Sequence, residues 1–184
     1  MSGDVVTFDC LFTPRELDDL WDRVERARAD GDFRPFSFTS TFENGKIFEP
    51  ALAASIFARC ASLLPSKYVD AAGFSWHPVR ACDHLFYAIV SPGQMFGLHT
   101  DTGSVYDAAN HEYSKFTVLI YLNQSGLDFE GGHTVFIGGQ DIRPVRGRLL
   151  MFDIDLFHYG QEVLSGTKRW VGTEFVYRKE KKTA

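Results

Sequence analysis

His84-Leu85-Phe86-Tyr87-Ala88-Ile89-Val90, then Ser91-Pro92-Gly93, then Gln94-Met95-Phe96-Gly97-Leu98-His99, is the stretch on which the fold reading turns. An apolar run of strand length, a Pro-Gly turn and a second short run make the texture of antiparallel sheet. That texture predicts strands near 84–90 and 94–99, and it continues near 115–122, 133–137, 148–153, 161–164 and 168–178. Gly131-Gly132, Gly138-Gly139, Arg146-Gly147 and Ser165-Gly166 supply turns between them. Many short strands with regular punctuation read as a sandwich or barrel. An aromatic content of 15% adds to the case, because aromatic side chains suit pleated, half-buried surfaces.

Upstream of this region the period changes. Thr13-Pro14-Arg15-Glu16 is a capping box with proline at the first helical position, and it predicts a helix from Pro14 to Arg28 with Leu17, Leu20, Trp21 and Val24 on its buried stripe. Pro50 to Leu64 reads as a second helix, closed by Pro65. Between them, residues 33–47 carry Phe33, Phe36, Phe38 and Phe42 among Ser and Thr, a strand-prone run that ends at the turn-like Asn44-Gly45. The expected architecture is mainly β, with N-terminal supporting α-helices over about 1–82 and a β core over about 83–178, in one domain spanning 1–184.

Composition narrows the function classes. A net charge of -5 leaves no diffuse positive field to hold nucleic acid in bulk. Cys10, Cys60 and Cys82 are odd in number and widely spaced, which fits no disulfide framework or zinc knuckle and points to a reducing, cytoplasmic setting. The longest apolar stretch, Ala51 to Leu64, is broken by Arg59, so neither a membrane span nor a secretory signal is expected. No Gly-x-Ser-x-Gly elbow and no phosphate-binding Gly-x-x-x-x-Gly-Lys loop occurs.

The chemistry lies at the end of the opening stretch. His99 and Asp101 are two apart at a strand end, so both side chains share a face. His158 follows the strand-like Leu149-Leu150-Met151-Phe152-Asp153, and a barrel would bring it opposite that pair. Two imidazoles and one carboxylate on one face, with other positions open, form the facial triad of non-haem iron(II). Ten residues beyond His158, Lys168 and Arg169 open the last strand, and a cation facing the same cavity would suit a dicarboxylate cosubstrate.

These residues and their frame resemble the iron(II)- and 2-oxoglutarate-dependent dioxygenases, in particular the prolyl 4-hydroxylase-like branch. The resemblance covers about 83–178 and rests on ordered blocks: Ser91-Pro92-Gly93-Gln94-Met95-Phe96, His99-x-Asp101, Thr117-Val118-Leu119-Ile120-Tyr121-Leu122-Asn123, Phe129-Glu130-Gly131-Gly132-His133-Thr134-Val135-Phe136, Pro144 through Phe152, His158 and Lys168. It implies a double-stranded β-helix, or jelly roll, with His99, Asp101 and His158 as the Fe(II) ligands and catalytic centre. It implies 2-oxoglutarate and O2 as cosubstrates, with ascorbate as an accessory reductant, and hydroxylation of an unactivated C–H bond as 2-oxoglutarate becomes succinate and CO2. Lys168 matches the basic residue that pairs with the far carboxylate of 2-oxoglutarate, and Arg169, which alternation turns the other way, is the fallback. Some dioxygenases of other branches carry a further basic residue on this strand; here Gly172 is next on the face that Lys168 shares with Trp170, leaving the wall open or lined by something else.

Tyr87 has two readings of equal weight, a donor to the cosubstrate carboxylate, as tyrosines in similar enzymes are, or a core aromatic. Asn123 and Thr134 are weaker candidates for the same polar lining. His111 sits in the polar insertion 102–114 and reads as a gating residue, His133 as a half-exposed hairpin residue, and His77 and His84 as structural histidines. Asp155 is a candidate partner for a metal-bound imidazole. The substrate class expected is a protein or peptide side chain such as prolyl, with a small molecule or free amino acid as the alternative. A cupin-like metal protein and a non-catalytic sensing module remain open as rival readings.

Overall fold

The computed structural model of the chain describes residues 5–32, 34, 41–70 and 72–180. In chain order the elements are β1 (Val5–Phe8), α1 (Pro14–Asp30), β2 (Glu43–Phe48), α2 (Pro50–Cys60), β3 (Tyr68–Val69), β4 (Ser75–Ala81), β5 (His84–Val90) and β6 (Phe96–His99). They continue with β7 (Tyr106–Asp107), β8 (Glu112–Tyr121), β9 (Phe129–Gly131), β10 (Thr134–Phe136), β11 (Asp141–Ile142), β12 (Leu149–Asp153), β13 (His158–Gly160), β14 (Val163–Gly166) and β15 (Lys168–Lys179). The large sheet runs β1-β12-β8-β15 and then splits. The first half of β15 pairs with β5, which pairs with β2, and its second half pairs with β4, which pairs with β3. A smaller sheet, β11-β10-β13-β6, faces it across a cavity.

Both helices lie on the far side of the large sheet from that cavity. Thr13 Oγ1 accepts from the Glu16 amide at 3.3 Å while Glu16 accepts from the Thr13 amide at 2.8 Å, and Gly31 at φ 71° ends the helix. Leu17, Leu20 and Val24 of α1 and Ala53, Ile56 and Cys60 of α2 pack against Leu85, Val118, Ile120, Val171 and Phe175 of the sheet. A second core between the sheets includes Val90, Tyr121, Phe136, Phe152 and Trp170. This is the mainly β, helix-backed jelly-roll arrangement expected.

Several expectations need correction. Asn44-Gly45 is no turn: both lie within β2, and Gly45 is there because a Cβ would come within 2.6 Å of Cε1 of the Tyr87 ring. Phe33, Phe36 and Phe38 lie outside the described residues. The second helix stops at Cys60, whose carbonyl accepts from the amides of Leu63 and Leu64 in a closing turn. The strand expected at 161–164 is β14, displaced to Val163–Gly166, and a separate short strand of the smaller sheet, β13, ends just before it at Gly160. Strand β4 lies outside the expected strands. Its Pro78 sits where the register with β15 shifts between Val176 and Tyr177, an irregularity that accommodates a residue without an amide hydrogen.

Candidate active site

Strand pairing brings the three predicted ligands together. His158 on β13 is the direct register partner of His99 on β6, with ring centroids 4.2 Å apart. Asp101 lies just past the end of β6, where its amide donates to Ile154 O at 3.0 Å. Its Oδ1 lies 3.3 Å from His99 Nε2 and 3.9 Å from His158 Nε2. One donor atom from each residue falls within 4.8 Å of the other two.

The surrounding hydrogen bonds decide which atoms face the centre. His99 Nδ1 donates to Gly97 O at 2.7 Å and His158 Nδ1 to Leu156 O at 3.0 Å, which leaves each Nε2 lone pair inward. Thr117 Oγ1 donates to Asp101 Oδ2 at 2.6 Å, so Oδ1 is the oxygen left for the centre. His99 Nε2 is buried and finds no hydrogen-bond partner among the described residues. Inward lone pairs facing a carboxylate oxygen repel one another until a cation sits between them, and two nitrogens with one oxygen suit Fe(II).

The electrostatics agree with a ligand set. Burial works against the charged form of His99, but the nearby Asp101 carboxylate and the Gly97 carbonyl outweigh it and hold the imidazole above its usual pKa. Burial raises Asp101, yet the His99 and His158 rings and the Thr117 hydroxyl together pull it below the usual carboxylate range. At His158 burial wins over the attraction of Asp101, and the pKa falls.

The triad opens into a cavity of about 560 Å³. Lys168 lines it, is only 5% exposed, and donates to Gly132 O at 2.6 Å. A Cβ at Gly132 would meet the Lys168 Cδ at 3.2 Å and the Phe129 ring at 2.9 Å, so glycine is what lets this carbonyl reach the ammonium. With no carboxylate beside it among the described residues, burial pushes the Lys168 pKa down to about 7. Thr134, also buried and lining the cavity, shares a 2.7 Å hydrogen bond with the Tyr121 hydroxyl, and the Tyr121 ring lies 5.5 Å from Lys168 Nζ. If Tyr121 donates, the Thr134 hydroxyl proton is free to point at a ligand.

Other candidates lie elsewhere. Tyr87 does not line the cavity: it is fully buried on the helix-facing side of β5, and its neighbours Phe86 and Val90 take the cavity-facing positions. Strand alternation is the reason, since one residue of parity separates the two faces. Arg169 likewise faces the helices, exposed and 5.1 Å from the Trp21 ring, while Lys168 and Trp170 face the cavity. The wall beside Gly172 is lined by Phe86 and Leu119, the side chains opposite it on the paired strands.

Asn123 is a turn residue that donates to Thr167 O and accepts from the Arg169 amide. His111 does not line the cavity. It closes the β7–β8 hairpin, and its carbonyl accepts from Lys179 at the opposite end of β15 from Lys168. Asp155 faces Lys115 rather than an imidazole. His133 pairs with Asp141, and His77 with Glu180. Thr117 and Tyr121 carry no local sequence signal, because the groups they bond, Asp101 and Thr134, come from other segments of the chain.

The family model described as the 2OG-Fe(II) oxygenase superfamily matches residues 85–177, half of the chain. Among solved structures, a Pseudomonas putida prolyl-4-hydroxylase superposes with a TM-score of 0.62 at 16% identity, covering 95% of this chain and 92% of its own. The viral collagen prolyl hydroxylase of Paramecium Bursaria Chlorella virus-1, in its 2OG complex, gives 0.64 at 21%, covering 95% of each chain. A Trichoplax adhaerens prolyl hydroxylase in complex with a hypoxia inducible factor oxygen degradation domain peptide fragment gives 0.62 at 14%, covering 95% of this chain and 84% of that one. No curated protein matches the chain by sequence. At these identities the structural likeness speaks for the fold, and the family match speaks for the chemistry: the chain belongs to the 2OG-Fe(II) oxygenase superfamily and is a 2-oxoglutarate-dependent dioxygenase that uses Fe(II).

Proposed function

We propose that His99, Asp101 and His158 hold Fe(II), that Lys168 receives the far carboxylate of 2-oxoglutarate, and that the enzyme hydroxylates a C–H bond in a protein or peptide side chain. The observation that carries this is the convergence of three inward donor atoms and one buried lysine on a single cavity. With O2 as the co-reactant, bound Fe(II) and 2-oxoglutarate would supply the oxidant, one oxygen atom ending in succinate as CO2 leaves and the other in the hydroxyl of the substrate.

The chain's own groups do the rest. The carbonyls of Gly97 and Leu156 keep both imidazoles in the tautomer that presents Nε2, and Thr117 occupies Asp101 Oδ2 so that the carboxylate offers one oxygen. Lys168 and the Thr134 hydroxyl supply a cation and a donor for a carboxylate, and the Tyr121 hydroxyl orients Thr134. Phe86, Phe96, Phe152 and Trp170 make the walls apolar, which keeps water from the reacting atoms.

A peptide substrate is supported by the three structural neighbours named above, each a prolyl hydroxylase and one of them solved with a peptide. The test is succinate release by the Fe(II)-loaded enzyme with a panel of prolyl peptides, matched peptides lacking proline, and free amino acids. Release stimulated by prolyl peptides supports the reading. Stimulation confined to free amino acids would move the substrate to the small-molecule class.

A further inference from the structure

The metal site spans two sheets, and its three ligands are not supported alike. His99 and His158 stand on paired strands of the smaller sheet, whereas Asp101 stands at the start of the loop that crosses to the larger one. That loop is fastened by a residue with no role in the site as described so far. Glu174, on β15, is 5% exposed and lines the cavity. Its Oε2 accepts from the Ser104 amide at 2.7 Å and from the Ser114 hydroxyl, and its Oε1 accepts from the Ser104 hydroxyl at 3.0 Å.

Ser114 extends the clamp. Its Oγ accepts from the Val105 amide at 3.0 Å, and its own amide donates to Val105 O at 3.0 Å. A Cβ on Gly103 would come within 2.7 Å of Ser114 Cβ, so the loop lies tight against β8 at that point. Glu174 is the direct register partner of Thr117, which holds Asp101 Oδ2. One cross-strand pair on the large sheet therefore grips both the carboxylate and the chain that carries it. Among the described residues the three groups donating to Glu174 are all neutral, so its carboxylate holds backbone and hydroxyls in place rather than a counter-ion.

We infer that Glu174 is a positioning residue for the metal site, fixing residues 102–105 so that Asp101 presents a single oxygen, Oδ1, at the distance the two imidazoles require. The inference rests on the ligand assignment proposed above. Partners that orient a metal ligand typically change metal affinity about 10- to 100-fold when removed.

The experiment is Mn(II) binding by calorimetry to the metal-stripped protein, with circular dichroism to establish folding. Glu174→Ala is expected to weaken Mn(II) about tenfold or more in a folded protein. Glu174→Gln should restore most of that affinity, because the Ser104 hydroxyl can turn to accept from the new amide. Ser104→Ala, which removes one of the three bonds, should lie between, near threefold, and it carries the test if Glu174→Ala does not fold. A folded Glu174→Ala that binds Mn(II) within twofold of wild type overturns the inference, as does a Glu174→Gln as weak as Glu174→Ala or an unaffected Ser104→Ala. Wild-type protein that binds no Mn(II) overturns the ligand assignment itself, and this inference with it.

Discussion

Strands β5, β8 and β15 have two faces that differ in kind. Toward the helices they present Leu85, Tyr87, Val118, Ile120, Val171 and Phe175, close-packed and apolar. Toward the cavity the same strands present Phe86, Thr117, Lys168, Trp170 and Glu174, a mixture in which buried polar groups are held by named partners. One face supplies stability through burial of apolar surface, and the other spends part of it on a desolvated lysine and a desolvated carboxylate. Stability and chemistry are thus separated by one residue of strand parity, and each face can be altered with little effect on the other.

The largest expected effect lies on the helix side. Ile56→Ala should cost about 2–5 kcal/mol of stability in chemical denaturation, while the folded fraction keeps its Mn(II) affinity. A parallel loss of metal binding would mean that the faces are coupled.

Next comes Lys168→Met on the cavity side. It should weaken 2-oxoglutarate binding about 30- to 100-fold, as loss of a charged hydrogen bond worth about 2–3 kcal/mol, and leave Mn(II) binding mostly intact. In the ligand-free protein the same change should raise Tm, because it removes a buried ammonium whose charge is disfavoured. A lowered Tm would place Lys168 among the stabilising contacts of the core.

The pH dependence is smaller. Burial lowers the folded pKa of Lys168 to about 7, below its unfolded value, so the ammonium that a carboxylate needs is present below pH 7 and lost as pH rises through it. At saturating metal, 2-oxoglutarate should bind about tenfold more weakly at pH 8 than at pH 6.5, and Lys168→Met should flatten that profile. An unchanged slope in the variant would assign it to the histidines instead.

These two faces also explain what could be read without coordinates. Strand β5 is found at the predicted residues, because an unbroken apolar run between turn residues has no other good reading. The convergence of His99, Asp101 and His158 and the cavity-facing position of Lys168 match the expected placement, because strand alternation and barrel closure set them whatever loops intervene, and alternation also puts Lys168 and Arg169 on opposite faces. Tyr87 was not assignable, since parity within an all-apolar run carries no marker of which face is wet. Asn44-Gly45 misled because a glycine that admits a neighbouring ring looks the same in sequence as one that turns the chain. Glu174 was invisible for a related reason: its partners Ser104 and Ser114 are 70 and 60 residues away in sequence, so nothing local distinguishes it from a surface carboxylate.

The most direct test of the shared cavity is an anaerobic titration of the metal-stripped protein with Fe(II) and then 2-oxoglutarate, recorded in the visible range. The account predicts the charge-transfer band of a 2-oxo acid chelated to iron, present in the wild-type protein and absent in His99→Ala. Iron binding without that band, or a band that survives His99→Ala, would contradict it.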